Sequence, residues 1–220
     1  MLGYFRDPEV SFVQSPHVYK NQEESWIARG GAEQGYYFCG PIQMGLYGNT
    51  ALIANGSHST FRISALEDIG GYAVHNADDV LTSLRLHAKK WKSIYVPEVL
   101  AYGLTPATWG PYLLQQYRWS HSMFDLLIYH YPRLFRKLNL KQLLGYSMLG
   151  LFYFFQINLL LLMILPIISV ILNQPLVNIE LLAFLRNFMP VYIAEYFILI
   201  AWSQKYLIRP DVESGIWWRS

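Results

Sequence analysis

Cysteine is nearly absent from this sequence of 220 residues, in which Cys39 is the single thiol. One cysteine excludes an internal disulfide and a thiolate metal cluster. The six histidines are scattered without a His-Glu-x-x-His motif, and no glycine-rich phosphate loop follows the first predicted strand. The first twelve residues contain no apolar signal core, so nothing in them indicates secretion.

Charged residues are also scarce after Lys141. The stretch from Leu151 to Leu172 contains no Asp, Glu, Lys or Arg, and it is long enough for a bilayer core, which needs about 20 residues. A second apolar stretch runs from about Asn187 to Ser203. We therefore expect interfacial helices over residues 109–150, a transmembrane helical hairpin over 151–207 and a cytoplasmic tail over 208–220.

Basic residues predict the orientation of this hairpin. Arg133, Arg136, Lys137 and Lys141 precede the first apolar stretch, and positive charge marks the cytoplasmic side of a membrane protein. The prediction is a multi-pass protein of the inner cell membrane with its catalytic domain in the cytoplasm. Glu195 lies inside the second predicted span, where an ionisable group either faces a protein interior or lies close enough to the surface to be hydrated.

The first 108 residues have the pattern of an α/β fold. We predict strands at Glu9–Gln14, Ala51–Asn55, Lys92–Pro97 and Leu100–Leu104, and a helix that begins at Asp78. Strands that alternate with helices in this way are typical of an α/β sheet.

A second predicted helix, from about Pro111, connects the two halves of the chain. Gln115, Arg118 and Trp119 share one face of it, at positions i, i+3 and i+4. An amide, a guanidinium and an indole together suit a phosphorylated sugar, because the guanidinium donates to phosphate oxygens and a pyranose ring stacks on the indole. The alternative is a core tryptophan beside a solvated arginine.

Two carboxylates, Asp78 and Asp79, stand at the start of the first helix, where an acidic residue is expected for capping alone. Gly56 follows the predicted strand at Ala51–Asn55, and glycine after a buried strand often permits a close approach of backbone to ligand. The order of these features, followed by the Gln-Arg-Trp helix and the apolar stretches, favours a functional interpretation over capping.

Taken in that order, the motifs resemble the processive family 2 glycosyltransferases, the family that includes the catalytic subunits of bacterial cellulose synthases. GYFRDPEVSFVQSPH resembles the segment after that family's Asp-x-Asp motif, and ALIANGSHSTFRISALEDIGGY resembles its acceptor-side strand and the following segment. ADD stands at the family's Thr-Glu-Asp, and QQYRW satisfies Gln-x-x-Arg-Trp in full. The resemblance implies that residues 1–108 are the C-terminal portion of a cytoplasmic GT-A α/β domain.

The resemblance also implies roles for the matched residues. Asp79 would be the general base that deprotonates the acceptor hydroxyl. Gln115 and Arg118 would hold the diphosphate of the sugar donor, and Trp119 would stack under the terminal acceptor sugar.

Asn55, Gly56 and Ser57 match the acceptor side of the family's site. Asn55 stands where the family has a cysteine. Cys39 lies too far upstream in the sequence to take that place, so we interpret the Phe-Cys-Gly triplet around it as coincidence.

The sequence departs from the family in two further respects. Ala77 and Asp78 replace Thr and Glu, which leaves open a glycan other than cellulose. The Asp-x-Asp carboxylates that hold the divalent metal have no counterpart, so Mg²⁺ or Mn²⁺ is implied for the whole enzyme with no metal ligands in this chain. We expect a fragment, or half of a split enzyme, that is inactive alone.

The predicted function is a membrane-bound inverting glycosyltransferase that extends a β-linked, cellulose-like polysaccharide from a nucleotide sugar such as UDP-glucose. Its expected partners are that nucleotide sugar, the growing glycan, the lipid bilayer and a missing N-terminal half or partner chain, with no nucleic acid. The alternatives are a synthase of another polysaccharide and a non-catalytic membrane scaffold subunit.

Overall fold

A computed structural model describes residues 1–174 and 180–206, apart from the side chains of residues 155, 156, 158, 159, 181, 199 and 202–206. The chain divides into one compact unit that contains Met1–Ser147 and a second that comprises Met148–Lys205.

Two small sheets lie in the first unit. β1 (Val10–Gln14) is the centre of one sheet, between β3 (Ser59–Phe61) and β4 (Lys92–Tyr95), while β2 (Val18–Tyr19) pairs with β5 (Tyr102–Gly103). β1 is antiparallel to β3 and parallel to β4, and β2 is parallel to β5. Every residue of β1 is buried, as expected of a central strand that is covered on both faces.

Helices surround these sheets. They are α1 (Trp26–Tyr37), α2 (Gln43–Gly48), α3 (Ile63–Asp68), α4 (Asp78–Ala88), α5 (Trp109–Asp125) and α6 (Tyr131–Leu134). Two 3₁₀ turns lie at Leu2–Arg6 and Phe135–Lys137, and π-helical turns at Phe38–Ile42 and Leu126–His130 continue α1 and α5.

The main hydrophobic core packs against the face of β1. Phe12 is fully buried there with Leu52, Leu86 and Tyr95. The ring of Phe61, directly opposite Phe12 on β3, stacks on it at 5.3 Å between centroids. This cross-strand aromatic pair contributes about 1 kcal/mol beyond its buried area.

A neutral histidine lies inside the same unit. His87 is 1% exposed, and its ring nitrogens are bonded to the hydroxyls of Tyr146, at 2.8 Å, and Ser93, at 2.9 Å. Burial lowers the pKa of His87 to about 4, because a charged imidazole is poorly solvated there. Both nitrogens are satisfied, so this residue has a structural role.

Three of the four predicted strands are confirmed and one is wrong. Glu9–Gln14 and Lys92–Pro97 contain β1 and β4, and Leu100–Leu104 contains the short β5. Ala51–Asn55, however, is buried but forms no strand in the described structure. Three side chains bind its backbone in place of a neighbouring strand: the N–H groups of Ile53, Ala54 and Asn55 donate to Gln43, Ser83 and Gln14.

The two helices that carry the predicted site residues are confirmed. α4 begins at Asp78, as expected, and α5 begins at Trp109, two positions before Pro111. Thr108 precedes α5 in an extended conformation. Proline in the first turn costs no hydrogen bond, because the N–H groups there have no acceptor within the helix.

Long helices continue the chain: α7 (Leu140–Leu172) and α8 (Leu181–Tyr206). The last part of the predicted interfacial region, 140–150, and the first predicted span are therefore parts of one helix, because no helix-ending residue separates them. Among the residues whose backbone and side chains the structure describes, no helix combines the length and apolar character needed to cross a bilayer. The predicted transmembrane hairpin is not supported; its second helix carries Arg186 and Glu195, which are costly in lipid. The predicted tail, 208–220, lies outside the described residues.

Candidate active site

Asp79 occupies the first turn of α4 with its two carboxylate oxygens in different surroundings. Oδ1 accepts the backbone N–H of Val80 at 2.7 Å, and Asp78 accepts the backbone N–H of Asp79 at 2.9 Å. Burial raises the pKa of Asp79 to about 6, and the negative charge of Asp78 adds to this effect. A carboxylate with such a pKa can both hold and release a proton near neutral pH.

The second oxygen, Oδ2, faces the turn at Gly56. A Cβ placed on Gly56 would lie 3.4 Å from Oδ2 of Asp79, and the glycine has a φ of +71°. Side chains rarely adopt this left-handed conformation, whereas glycine does so freely. The turn therefore brings bare backbone beside the carboxylate, so the structure places the predicted residues Asp79 and Gly56 together.

Buried amides hold this turn in place, and we call Gln14, Gln43 and Asn55 the amide network. Gln43 donates to the carbonyl of Ile53 at 2.8 Å and to Oδ1 of Asn55 at 2.5 Å. Gln14 accepts the N–H of Asn55 at 2.9 Å and donates to the carbonyl of Ser57 at 3.0 Å. Both glutamines have 0% exposure. A buried and satisfied network of this kind fixes one conformation of the loop.

Ser57 lies on the exposed side of the turn between two histidines. Its hydroxyl is 3.0 Å from Nε2 of His17 and 2.9 Å from Nδ1 of His58. The pKa of His17 is lowered by burial, with a smaller contribution from His58. Neutral imidazoles beside a hydroxyl can exchange donor and acceptor roles, which suits contact with the hydroxyls of a sugar. His17 is the last residue of the GYFRDPEVSFVQSPH segment, but no role is predicted for it from the sequence, because 40 residues separate it from Ser57.

Cys39 is also part of this neighbourhood. The side-chain amide of Asn55 points to its sulfur at 3.7 Å, and the hydroxyl of Tyr95 donates to its carbonyl at 2.5 Å. Burial raises the pKa of the thiol to about 11, so it is not a thiolate. The triplet that we interpreted as coincidental therefore lies against the acceptor-side loop in space, although it is distant in sequence.

The predicted donor face of α5 is exposed. Gln115 is half-buried, Arg118 is exposed and Trp119 is 40% exposed. The hydroxyl of Ser122 bonds the backbone carbonyls of Arg118 and Trp119, the latter at 3.2 Å. In the part of the chain that the structure describes, no hydrogen bond or ion pair uses the side chains of these three residues or joins them to Asp79.

The structure also shows a cluster that the sequence did not suggest. His75, Asp125 and His130 approach one another with their ligating atoms within 4.8 Å. His75 and Asp125 also line an open cleft of about 410 Å³ with Val74, Asn76, His121 and Ser122. The hydrogen bond that His75 donates holds the pKa of the Asp125 carboxyl below its usual value.

This cluster does not fit the divalent ion that the resemblance implies. Mg²⁺ prefers oxygen ligands and carboxylate and carbonyl oxygens also suit Mn²⁺, whereas imidazole nitrogens suit Zn, Cu, Fe and Ni. His75 also uses Nδ1 to accept the N–H of Ala77 at 2.9 Å, which leaves the proton on Nε2, the nitrogen that faces Asp125. A metal-bound histidine normally donates from its other nitrogen. The cluster is therefore a hydrogen-bonded group, and no reaction step is assigned to a metal there.

The sequence matches one known protein family and several of its curated members. The sequence profile of glycosyl transferase family group 2 matches residues 2–203. The chain is 30% identical over 156 residues to the UDP-forming cellulose synthase catalytic subunit of Komagataeibacter sucrofermentans, covering 69% of this chain and 21% of that protein. It is also 30% identical over 160 residues to the corresponding subunit of Xanthomonas axonopodis pv. citri, covering 69% and 22%. The chain thus spans about a fifth of the length of these curated relatives.

Proposed function

This chain belongs to glycosyl transferase family group 2, and from that membership we propose that it takes part in the extension of a polysaccharide from a nucleotide sugar. The relatives are named as UDP-forming cellulose synthase subunits, which supports a UDP-sugar such as UDP-glucose as the donor and a β-linked, cellulose-like glycan as the product. Synthesis of another polysaccharide uses the same chemistry.

The observation that carries the proposal is the half-buried Asp79 carboxylate, which lies beside the bare backbone of Gly56. The acceptor hydroxyl attacks the anomeric carbon of the donor, and a new carbon–oxygen bond forms. The bond from that carbon to the diphosphate breaks, its electron pair remains on the diphosphate, and the hydroxyl proton passes to Asp79. Attack on the face opposite the leaving group inverts the anomeric configuration.

Arg118 and Gln115 are proposed to bind the diphosphate. The exposed guanidinium can donate two parallel hydrogen bonds to phosphate oxygens and stabilise the charge that develops on the leaving group. Gln115 adds neutral donors on the same helical face. Trp119, which is 40% exposed, supplies the flat surface on which the terminal sugar of the acceptor stacks.

A larger assembly is part of the proposal. The chain covers about a fifth of each relative, so we propose that a nucleotide-binding half completes the enzyme and supplies the oxygen ligands for Mg²⁺ or Mn²⁺. The purified 220-residue chain should then release no UDP from UDP-glucose. Substantial release without another chain would contradict this part of the proposal.

We also propose that the enzyme works at the inner membrane, with its catalytic residues on the cytoplasmic side. Large apolar side chains are exposed along the second unit, including Leu161, Met163, Ile171 and Phe197, and contiguous exposed apolar surface marks an interaction site for a membrane or another protein. Fractionation of native cells tests this location: the chain should sediment with membranes. Recovery in the soluble fraction would contradict it.

The decisive experiment replaces Asp79 by Asn and measures incorporation of labelled glucose from UDP-glucose in native membranes, where any partner chain is present. Loss of a general base should lower the rate by about 10²- to 10⁴-fold. Asp68→Asn is the matched control, because this exposed carboxylate on α3 bonds Lys89 and Trp91 instead. Unchanged synthesis by the Asp79 variant would overturn the base assignment. No synthesis by the wild type with any nucleotide sugar would favour the scaffold alternative.

A further inference from the structure

The side chain of His75 takes part in two hydrogen bonds, one at each ring nitrogen. Its Nδ1 accepts the backbone N–H of Ala77 at 2.9 Å, and its Nε2 lies 2.5 Å from Oδ2 of Asp125. The His75 side chain is 12% exposed and that of Asp125 is 34% exposed. These bonds are therefore partly shielded from water, where a charge-assisted hydrogen bond is stronger than at an open surface.

The first bond determines the direction of the second. A backbone N–H can only donate, so Nδ1 of His75 must be unprotonated to accept it. The single ring proton then lies on Nε2 and is donated to the Asp125 carboxylate. His75 thus has one proton arrangement that satisfies both of its partners.

The two partners belong to the two elements that carry the proposed site. Ala77 immediately precedes α4 and lies two residues before Asp79, while Asp125 is the last residue of α5, the helix of Gln115 and Arg118. Among residues 1–174 and 180–206, no hydrogen bond joins α4 directly to α5. The two hydrogen bonds of His75, which we call the bridge, therefore connect the start of α4, which carries Asp79, to the end of α5.

We propose that His75 is a positioning residue that sets the placement of α5 relative to Asp79. This inference rests on the proposed glycosyl transfer. Its role is geometric: the hydroxyl must reach Asp79 while the diphosphate is held by Arg118, and an error of about 1 Å in such an alignment can cost about 10²-fold in rate.

Two substitutions of His75 test its hydrogen bonds to Ala77 and to Asp125 separately. Asn at position 75 places an amide oxygen near the position of Nδ1, so His75→Asn retains the bond to Ala77 but is too short to reach Asp125. Gln places an amide N–H₂ near the position of Nε2, so His75→Gln retains the donor to Asp125. Asp125→Asn retains an acceptor for His75 without the charge. His121→Ala is the control, because His121 is near the same carboxylate and forms no described hydrogen bond with it.

Kinetics of sugar incorporation in native membranes test the assignment. His75→Asn should lower kcat about 10- to 100-fold with the KM for UDP-sugar changed less than about twofold, since Arg118 and Gln115 still contact the donor. His75→Gln and Asp125→Asn should retain kcat within about threefold of the wild type, and His121→Ala should match the wild type. Protein amount and melting temperature are measured for each variant, so that a loss of folded enzyme is not counted as a loss of kcat.

The outcomes distinguish the positioning role of His75 from the proposed glycosyl transfer on which it rests. Wild-type kcat in His75→Asn, or an equal loss in His75→Gln, would overturn the positioning role even if Asp79→Asn is inactive. A loss that appears only as lower melting temperature, with kcat per folded enzyme unchanged, would also overturn it. Absence of transfer by the wild type would instead refute the proposed function.

Discussion

Two glutamines of the candidate site, Gln43 and Gln115, have contrasting surroundings. Gln43 has no exposed surface, and both ends of its amide are bonded to the acceptor-side loop. Gln115 is half-buried on α5 beside the exposed Arg118, and its amide has no described partner. One amide therefore stabilises the fold, and the other remains available to a ligand.

The loop around Asn55 and the face of α5 that carries Arg118 differ in the same way, the first being bonded within the protein and the second not. The loop around Asn55 is held by buried side chains, and a polar network that is satisfied before ligand binding needs no rearrangement when the acceptor arrives. The donor face of α5 presents a charge and an aromatic ring without protein partners in the described structure, which is expected of groups that bind an external diphosphate and sugar. Substitutions on the two sides should accordingly affect different properties.

A large effect on activity, second to the loss expected for Asp79→Asn, is expected from Arg118→Ala. If Arg118 stabilises the leaving diphosphate as proposed, its removal should lower kcat about 10²- to 10³-fold. The unfolding free energy should change by no more than about 0.5 kcal/mol, because the side chain is exposed. Sugar incorporation and urea unfolding in detergent measure the two quantities. Arg6→Ala, another exposed arginine, should change neither. A large stability loss in Arg118→Ala would show that the arginine supports the fold.

The next effect is on stability, from Gln43→Met. This change preserves volume but removes the bonds to Ile53 and Asn55, and buried groups left unsatisfied cost about 2 to 4 kcal/mol in total. Urea unfolding should show this loss, whereas Gln115→Met should stay within about 0.5 kcal/mol of the wild type. Equal effects of the two substitutions would remove the contrast between the two sides of the site.

Asp79→Asn should stabilise the protein at neutral pH while it abolishes transfer. The folded-state pKa, about 6, lies above the ordinary value of 3.8, so the folded state binds the proton more tightly than the unfolded chain. The stability gained from protonation is complete below about pH 4 and is lost as pH rises through about 6. At about pH 7.5 the neutral amide should therefore add up to about 3 kcal/mol, and at about pH 4 it should add little. Melting curves at both pH values measure this; equal shifts at the two would contradict it.

Local signals were enough to predict part of the fold. β1 and β4 are runs of β-forming residues, and the start of α4 is marked by two carboxylates that favour a helix N-terminus. The buried apolar segment Ala51–Asn55 has the composition of a strand, but its composition cannot show that Gln14, Gln43 and Ser83 take the place of a partner strand. The conformation of this segment depends on hydrogen bonds between residues that are distant in sequence.

The candidate site shows the same limit. Motif order identified Asp79 and Gly56, and the structure brings them together. The contact of Asn55 with Cys39 and the bond of His75 to Asp125 join residues 16 and 50 positions apart. No spacing rule connects such pairs, because their proximity depends on the packing of whole elements. The roles of the α5 residues and the division of the chain into functional domains remain predictions.

The smallest expected effect concerns Gly56, where strain and access to Asp79 can be separated. Gly56→Ala should cost about 1 kcal/mol, because alanine disfavours a φ of +71°, and the new methyl group would contact Oδ2 of Asp79 at 3.4 Å. Gly45→Ala is the matched control: Gly45 lies in α2, and outside its chain neighbours and the local helix backbone nothing lies within 4 Å of the position of an alanine Cβ. Alanine there should therefore stabilise by about 0.5 kcal/mol. If Gly56→Ala lowers kcat by more than its stability loss explains, the glycine also keeps the carboxylate accessible to the acceptor; if activity is unchanged, its role is limited to the turn.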